Sequence, residues 1–524
     1  MSACRGADST PQRKTFIDSR DRYDPRSLDP ALSTDVPTGR AVSYIFDGLT
    51  QFTVDARLAP ALAEKWDVSP DGRTYTFHLR PHVAFHDGRA FHAADVVYSF
   101  QRVLDPRTKG GRGWPLYPIS CARAFAAGTA NTIGGLDVVD DSTIRITLDT
   151  ALAIFPKLLA MPVASIVPAA DTAHFAEHPI GTGPWRFVTW KHDDYVLLAR
   201  NPSYWGGAPH LDSLEIRIVP EPSTAVAEFQ AGNVDLLYVP EAETARWEHT
   251  DEKSAFLVSA PALRLWYVAI NTTRGPLQDP RVRQALNYAV DVRTMLQRLV
   301  GGRGTLAAGV IPPSLDGADT ARRPYVYDPA KARALLAAAG YAKGFAVQLW
   351  VGQDETFQRV AQSIQAYLAA VGVRATLVQR DNSAAREAAR HGDADLIIKD
   401  WYADYPDAED FLNPLLVGAN RGVGGNVSFY ENPTVDQLVA RARTTADSAQ
   451  RAALYRRADS ISFGDAPMIY LFFYNELYAV QPWITGFKAP AIYNGQRFLD
   501  VAIGGPGVAG NKDTVARDTA AAHP

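Results

Sequence analysis

Between residue 15 and about residue 503 no Pro-, Gly- or Ser-rich linker, charge run or internal repeat divides the chain. At ~150 residues per domain, 524 residues amount to roughly three or four domain lengths. So much chain without a linker points to lobes that share crossing strands rather than to beads on a string. Only residues 1–14 and 506–524 are too small and polar to offset the entropy of ordering them, and both are expected to be tails.

Local patterning divides the chain into a β-rich first half and an alternating second half. Trp66–Ser69 and Tyr75–Leu79 flank Pro70-Asp71-Gly72-Arg73, and the second arm alternates Tyr75, Phe77 and Leu79 with polar neighbours, which predicts a β-hairpin. Val96, Val97, Phe100, Val103 and Leu104 form a helical stripe over 93–104. Ile144, Ile146 and Leu148 alternate as a strand, and so do Leu214, Ile216 and Ile218. Asp279-Pro280 and Asp328-Pro329 each read as an N-cap followed by a first-turn proline. A helix over 357–371 ends at Gly372, with a strand at Val373–Val378. Asp395–Ile398 and Met468–Tyr474 are apolar runs of buried-strand type. Strands alternating with helices over 263–475 predict an α/β lobe.

Composition removes several function classes. Lys plus Arg (53) nearly balances Asp plus Glu (57), so there is no electrostatic footprint for nucleic acid. Two cysteines, Cys4 and Cys121, build neither a disulfide framework nor a cysteine-rich zinc site. Nucleophile-elbow, phosphate-loop and Cys-x-x-Cys motifs are absent. His174-Phe175-Ala176-Glu177-His178 matches a zinc-peptidase pattern, but Pro179 leaves it no sustained helix to stand on, so a solvated loop is expected. His78, His82, His86 and His92 surround a predicted strand and turn and are expected at the surface. Neither metal nor cofactor is expected.

The stretch Leu62–Arg80, with Phe85-His86-Asp87-Gly88-Arg89 and Ala94-Asp95-Val96-Val97-Tyr98-Ser99-Phe100, strongly resembles the family 5 extracellular solute-binding proteins, the dipeptide and oligopeptide receptors of bacterial ABC importers. Pro179–Phe187, Arg200-Asn201-Pro202-Ser203-Tyr204-Trp205, Arg281–Ala289, Tyr327-Asp328-Pro329 and Ala403-Asp404-Tyr405-Pro406-Asp407 extend the resemblance over about residues 25–500. It implies an α/β, two-lobed periplasmic-binding-protein clamshell of type II, with an extra β-rich domain in the first lobe. By analogy, 15–46, 182–262 and 478–505 form the core of lobe I, 47–181 the extra domain, and 263–477 lobe II. Hinges are expected near Leu263–Asn271 and Asn475–Val480. The resemblance also implies a monomeric binding protein, not an enzyme, which captures peptides, in this chain oligopeptides, for ABC permease subunits of the membrane. Ser2-Ala3 before Cys4 resembles the tail of a lipobox, so Cys4 is the expected lipidation site of a periplasmic or surface-anchored protein. The alternatives are another solute on the same fold (nickel chelate, haem, oligosaccharide or opine) and a secreted zinc hydrolase.

Trp401, Tyr402, Ala403 and Asp404 follow the Asp395–Ile398 run, at a strand end where open α/β sheets bind ligands. The resemblance implies that Asp404 pairs with the α-ammonium of a peptide. The other reading makes Asp404 or Asp407 a cap for a helix around Phe411–Leu416; ligand contact is expected of Asp404 and capping of Asp407. Trp401 would wall the site. Tyr402 stands where some members carry a bridging cysteine, so that disulfide is not expected. Trp350, at the end of the predicted strand 346–351, and Tyr44, near the first crossing, complete the candidate ligand contacts. The loop Gln353-Asp354-Glu355 offers acids where some members place a base for the ligand carboxylate; its next base is Arg359. Asp400 makes this corner more acidic, and Lys399 either balances it or points away.

Overall fold

The structure is a computed structural model and describes residues 15–169, 175–248 and 257–504. In chain order its first strands are β1 (Thr15–Asp18), β2 (Thr50–Phe52), β3 (Leu58–Pro60), β4 (Ala63–Val68), β5 (Thr74–Leu79), β6 (Leu136–Asp140) and β7 (Thr143–Thr147). There follow β8 (Trp185–Lys191), β9 (Tyr195–Arg200), β10 (Ser213–Arg217), β11 (Leu236–Tyr238), β12 (Leu257–Ile270) and β13 (Gly304–Leu306). The last are β14 (Phe345–Val351), β15 (Val373–Gln379), β16 (Leu396–Tyr402), β17 (Met468–Val480), β18 (Ile484–Thr485) and β19 (Ala502–Ile503).

One sheet of eleven strands runs β15-β14-β16-β12-β17-β11-β1-β10-β9-β8, with β13 on β17. At one end β14 pairs in parallel with β15 and β16, as the strand–helix alternation predicts. The connecting helices Glu355–Ala370 and Asn382–His391 are capped by Asp354 and Asp381, whose carboxylates accept first-turn N–H groups. Asp279 and Asp328 cap their helices in the same way. At the other end of the sheet, β1, β8, β9, β10 and β11 pack over Phe16, Trp185, Leu198 and Ile216. The four-stranded sheet β4-β5-β7-β6 belongs to a separate core built from Leu62, Phe77, Phe100, Ile144 and their neighbours. The expected hairpin is β4–β5, and the 93–104 stripe is the helix Ala93–Leu104. This is the two-lobed α/β fold with an added β-rich unit.

Only β12 and β17 run the length of the seam between the two ends of the large sheet. They pair antiparallel, but the register breaks between Pro261 and Leu265. Proline has no N–H to give a ladder, so a bulge there is expected. The freed backbone is taken up from outside: Leu263 N–H donates to Ala491 O, and Ala403 N–H donates to Leu263 O. Tyr402, the last residue of β16, pairs with Arg264 at this bulge. The expected site segment therefore leaves the sheet where its two halves meet.

The same logic explains Gly181 and Gly183, which pass beside Tyr44 and Ile45. A Cβ on Gly181 would lie 2.0 Å from Ile45 O, and one on Gly183 2.6 Å from Tyr44 O, so no side chain fits. His86 holds this loop, and its expected surface position is corrected here. Its Nε2 faces Gly183 O at 2.9 Å and its Nδ1 accepts Gly181 N–H at 3.3 Å. That arrangement requires the neutral ring protonated on Nε2, and burial lowers its pKa from 6.5 to about 4.

Candidate functional site

Past β16 the chain carries four acids in seven residues: Asp404, Asp407, Glu409 and Asp410. Tyr405, between them, is buried in the core of the four-stranded-sheet unit, and its ring lies 6.1 Å from that of Trp114. The segment therefore leaves one body and docks on another. Three of its carboxylates meet a cation. Arg112 Nη2 donates to Asp404 Oδ1 at 2.6 Å, Lys157 Nζ to Asp407 Oδ2 at 2.6 Å, and Arg443 Nε lies 3.0 Å from Glu409 Oε1. Arg112 and Lys157 belong to the four-stranded-sheet unit, so two of these ion pairs bridge bodies.

Asp410 is 2% exposed, and no basic side chain among the described residues pairs with it. Its Oδ2 accepts Asp404 N–H at 2.8 Å and the Trp401 indole at 3.4 Å. Burial, with Asp404 adding to it, holds the Asp410 carboxyl well above the usual range. Burial also raises Asp404, and Arg112 only partly offsets it. Trp401 thus orients the acid that orients Asp404. The capping alternative fails for Asp404, because the helix Glu409–Leu416 is preceded by Ala408. Asp407 does accept Glu409 N–H, at 3.0 Å, alongside its pair with Lys157.

Tyr402 abuts the Tyr493 ring at 6.1 Å, and its buried hydroxyl has no hydrogen-bond partner among the described residues. Arg264 bonds Asp400 at 2.8 Å and lies over the ring of Tyr402. Arg264, not Lys399, thus balances Asp400. Tyr44 is fully buried, its hydroxyl accepting from Arg20 at 2.8 Å within the Arg20–Asp18 pair. Trp350 bonds Gln348 at 3.1 Å and lies under Arg380, with no bond to the Asp404 segment. The structure thus gathers Trp401, Tyr402, Ala403 and Asp404 and leaves Tyr44 and Trp350 apart from them. Sequence reasoning missed Arg112, Lys157 and Asp410. Arg112 sits in a Gly-Gly-Arg-Gly-Trp loop that marks a turn but names no partner.

A cavity of about 240 Å³ opens beside the ends of β14 and β16, lined by Arg264, Trp266, Asp354, Arg386, Lys399 and Asp400 among others. A larger one of about 590 Å³ lies between the bodies, walled by Arg57, Lys157, Leu263, Asp407 and Tyr455. The His174–His178 pattern lies partly outside the described residues: His174 is beyond them, and the His178 ring meets Phe187 edge-on. Among the described residues no three His, Cys, Asp or Glu side chains form a metal-ready group. Cys4 is also outside the described residues.

Residues 57–422 match the family model described as bacterial extracellular solute-binding proteins, family 5 Middle. The chain is 36% identical over 473 residues to the glutathione-binding protein GsiB of Pectobacterium atrosepticum, covering 88% of this chain and 89% of that protein. It is 36% identical over 473 residues to heme-binding protein A of Haemophilus influenzae, covering 85% and 84%. Among solved structures, the ABC transporter-associated periplasmic binding protein DppA of Helicobacter pylori, in complex with peptide STSA, superimposes with a TM-score of 0.79 at 29% identity, over 94% of this chain and 98% of that one.

Proposed function

The chain belongs to the bacterial extracellular solute-binding proteins of family 5, and from that premise we propose that it captures a peptide with a free amino terminus between its lobes and hands it to the permease subunits of an ABC importer. It does so as a periplasmic monomer, lipid-anchored through Cys4. Residues 15–46, 182–262 and 478–505 are the core of lobe I, 47–181 its extra domain and 263–477 lobe II. Closure follows binding because only the closed state touches the solute from both sides. Glutathione, named for one relative, and the peptide STSA, bound to a structural neighbour, support a peptide-type ligand.

The observation that carries this reading is the position of Asp404. Its carboxylate leaves lobe II at the bulge between β12 and β17 and meets a cation from the opposite body at 2.6 Å. A carboxylate that receives Arg112 there is placed to receive an ammonium. Asp410 beneath it accepts the Asp404 N–H at 2.8 Å and so fixes the segment that presents Asp404. Peptide backbone groups would find strand-edge partners at the same place.

Calorimetric titration with trialanine and N-acetyl-trialanine tests the reading. Asp404→Asn should weaken trialanine binding by ~2–4 kcal/mol, the range for losing one partner of an enclosed charge pair. Acetylation should cost the wild type as much and the variant little more, because both changes remove one interaction. Additive losses would show that Asp404 and the amino terminus do not meet. Palmitate labelling of wild type against Cys4→Ser tests the anchor, with equal labelling counting against it.

A further inference from the structure

We propose that Arg112 is a resident counter-ion: with no solute bound it fills the Asp404 site across the lobe boundary, and it must leave before a cationic group of the solute takes its place. The inference deepens the reading of Asp404 given above and rests on it for its peptide probes.

Arg112 lies in the stretch Lys109-Gly110-Gly111-Arg112-Gly113, which links the short turns Pro106–Thr108 and Trp114–Leu116. Lys109 is left-handed at φ 54°, and Gly110 passes so close to Ala31 that a Cβ would stand 2.7 Å from its carbonyl oxygen. Gly110, Gly111 and Arg112 neither give nor take a backbone hydrogen bond with any described residue. A segment with so few backbone bonds opens at low cost.

The side chain is as lightly held. Among the described residues Arg112 makes one hydrogen bond, from Nη2 to Asp404 Oδ1 at 2.6 Å. Arginines built into this fold make several. Arg497 bonds Asp47, Tyr204 Oη and Phe46 O, and Arg303 bonds Val239 O, Thr244 Oγ1 and Asn475 O. Two residues past Arg112, Trp114 rests on the Tyr405 ring yet stays 37% exposed, so that contact is partial as well. With 22% of the Arg112 side chain and 14% of the Asp404 side chain exposed, water reaches the pair, and the guanidinium can swing out without dismantling a core.

The pair still governs the site. Burial raises the Asp404 pKa, and Arg112 supplies the opposing attraction that favours the charged carboxylate while no solute is present. Asp404 Oδ2 accepts no side-chain donor among the described residues, which gives an incoming ammonium a place to land. Two cations on one carboxylate leave a positive charge unanswered in a partly buried site, and Arg112 is the one with a route to water. Affinity is thereby reduced by the fraction of protein in which Asp404 is already occupied. A solute has to bring a full positive charge to this point to win the exchange, which a neutral amide or hydroxyl does not.

Calorimetric titration of the ligand-free full chain with trialanine compares wild type, Arg112→Gln and Arg112→Lys. Arg112→Gln should bind trialanine at least about threefold tighter than wild type, because it frees Asp404 in advance. N-acetyl-trialanine has no ammonium to exchange and should bind both proteins alike. Arg112→Lys keeps the competing charge and should stay within about twofold of wild type. A smaller gain in Arg112→Gln, or a loss, overturns the proposal; a loss would mean that Arg112 holds the solute and not its place. Arg112→Lys also carries a measurement that needs no solute. Carbodiimide treatment of the ligand-free protein should join the introduced amine to Asp404 through a zero-length amide, read by peptide mass spectrometry, and absence of that link overturns the residency of Arg112. If trialanine binds none of the three proteins, the peptide reading has failed and the carbodiimide link alone decides whether position 112 fills the Asp404 site: its formation upholds the resident pair and its absence overturns it.

Discussion

Asp47 is fully buried and Asp404 part-buried, and each faces an arginine hundreds of residues away in sequence. Asp47 is fully buried and receives four side-chain donors: Arg497 Nη1 at 2.5 Å and Tyr204 Oη at 3.2 Å on one oxygen, Thr182 Oγ1 at 2.9 Å and Trp205 Nε1 at 3.0 Å on the other. Asp404 receives one side-chain donor, Arg112, on one oxygen. The first carboxylate has spent its acceptor capacity on the fold, joining the end of the first helix, the 181–183 loop, the Tyr204-Trp205 turn and the C-terminal segment. The second keeps an oxygen in hand, with Asp410 bonding only its backbone N–H. Burial alone therefore does not mark a binding residue; spare capacity does.

The comparison breaks most sharply at Asp47. Asp47→Asn keeps the volume but leaves Arg497 without its counter-charge and turns an amide N–H toward donors, so it should cost ~3–5 kcal/mol of stability, the range for stripping one partner from a buried pair. Urea denaturation followed by circular dichroism reads this, and a loss below about 1 kcal/mol would mean that the four bonds carry no net stability.

His86, which ties the same crossing to the 181–183 loop, gives a pH test of the same region. Its folded pKa of about 4 lies below the ordinary 6.5, so the unfolded chain takes the proton first as pH falls. Its contribution is complete above pH 6.5 and is lost as pH drops toward 4, amounting to ~3 kcal/mol across the window at 1.36 kcal/mol per pH unit. His86→Gln removes the titrating group while keeping a donor and an acceptor. The difference between wild-type and variant stability should therefore shrink over that window, and a difference independent of pH would refute the assignment.

Elements with a local cause were legible in the sequence. The β4–β5 hairpin, the Ala93–Leu104 helix and the Asp-capped helices all follow from neighbours a few residues apart, and so did the absence of linkers, since β12 and β17 join both ends of one sheet. Trp401–Asp404 was expected past a strand ending at Ile398, but β16 runs on through Tyr402, so only Ala403 and Asp404 lie beyond it. Nothing local pairs Arg112 with Asp404, 292 residues on, or leaves Lys399 without a partner while Arg264 takes Asp400. Those outcomes are set by how bodies dock, and sequence periodicity carries no information about that. His86 was misplaced for a related reason: a histidine in a turn reads as exposed until the distant Gly181–Gly183 loop covers it.

The smallest expected effect is the most discriminating. Asp404→Asn should change stability by less than about 1 kcal/mol, because the loss of its attraction to a part-exposed Arg112 is offset by relief of burial and of repulsion from Asp410. Arg112→Gln should cost somewhat more, about 1–2 kcal/mol, since it strands the part-buried Asp404 carboxylate without its counter-charge. The double variant should lie nearer Asp404→Asn than the sum of the two, giving a coupling of about 1 kcal/mol. Parallel urea series on the four proteins measure all three quantities. If Asp404→Asn costs as much as Asp47→Asn, then Asp404 holds the lobes together as Asp47 holds the crossing, and its spare oxygen is no sign of a ligand. If it is nearly silent in stability while removing the affinity for a free amino terminus, the two aspartates divide as their bond counts say: one carboxylate built into the fold, the other held ready beside it.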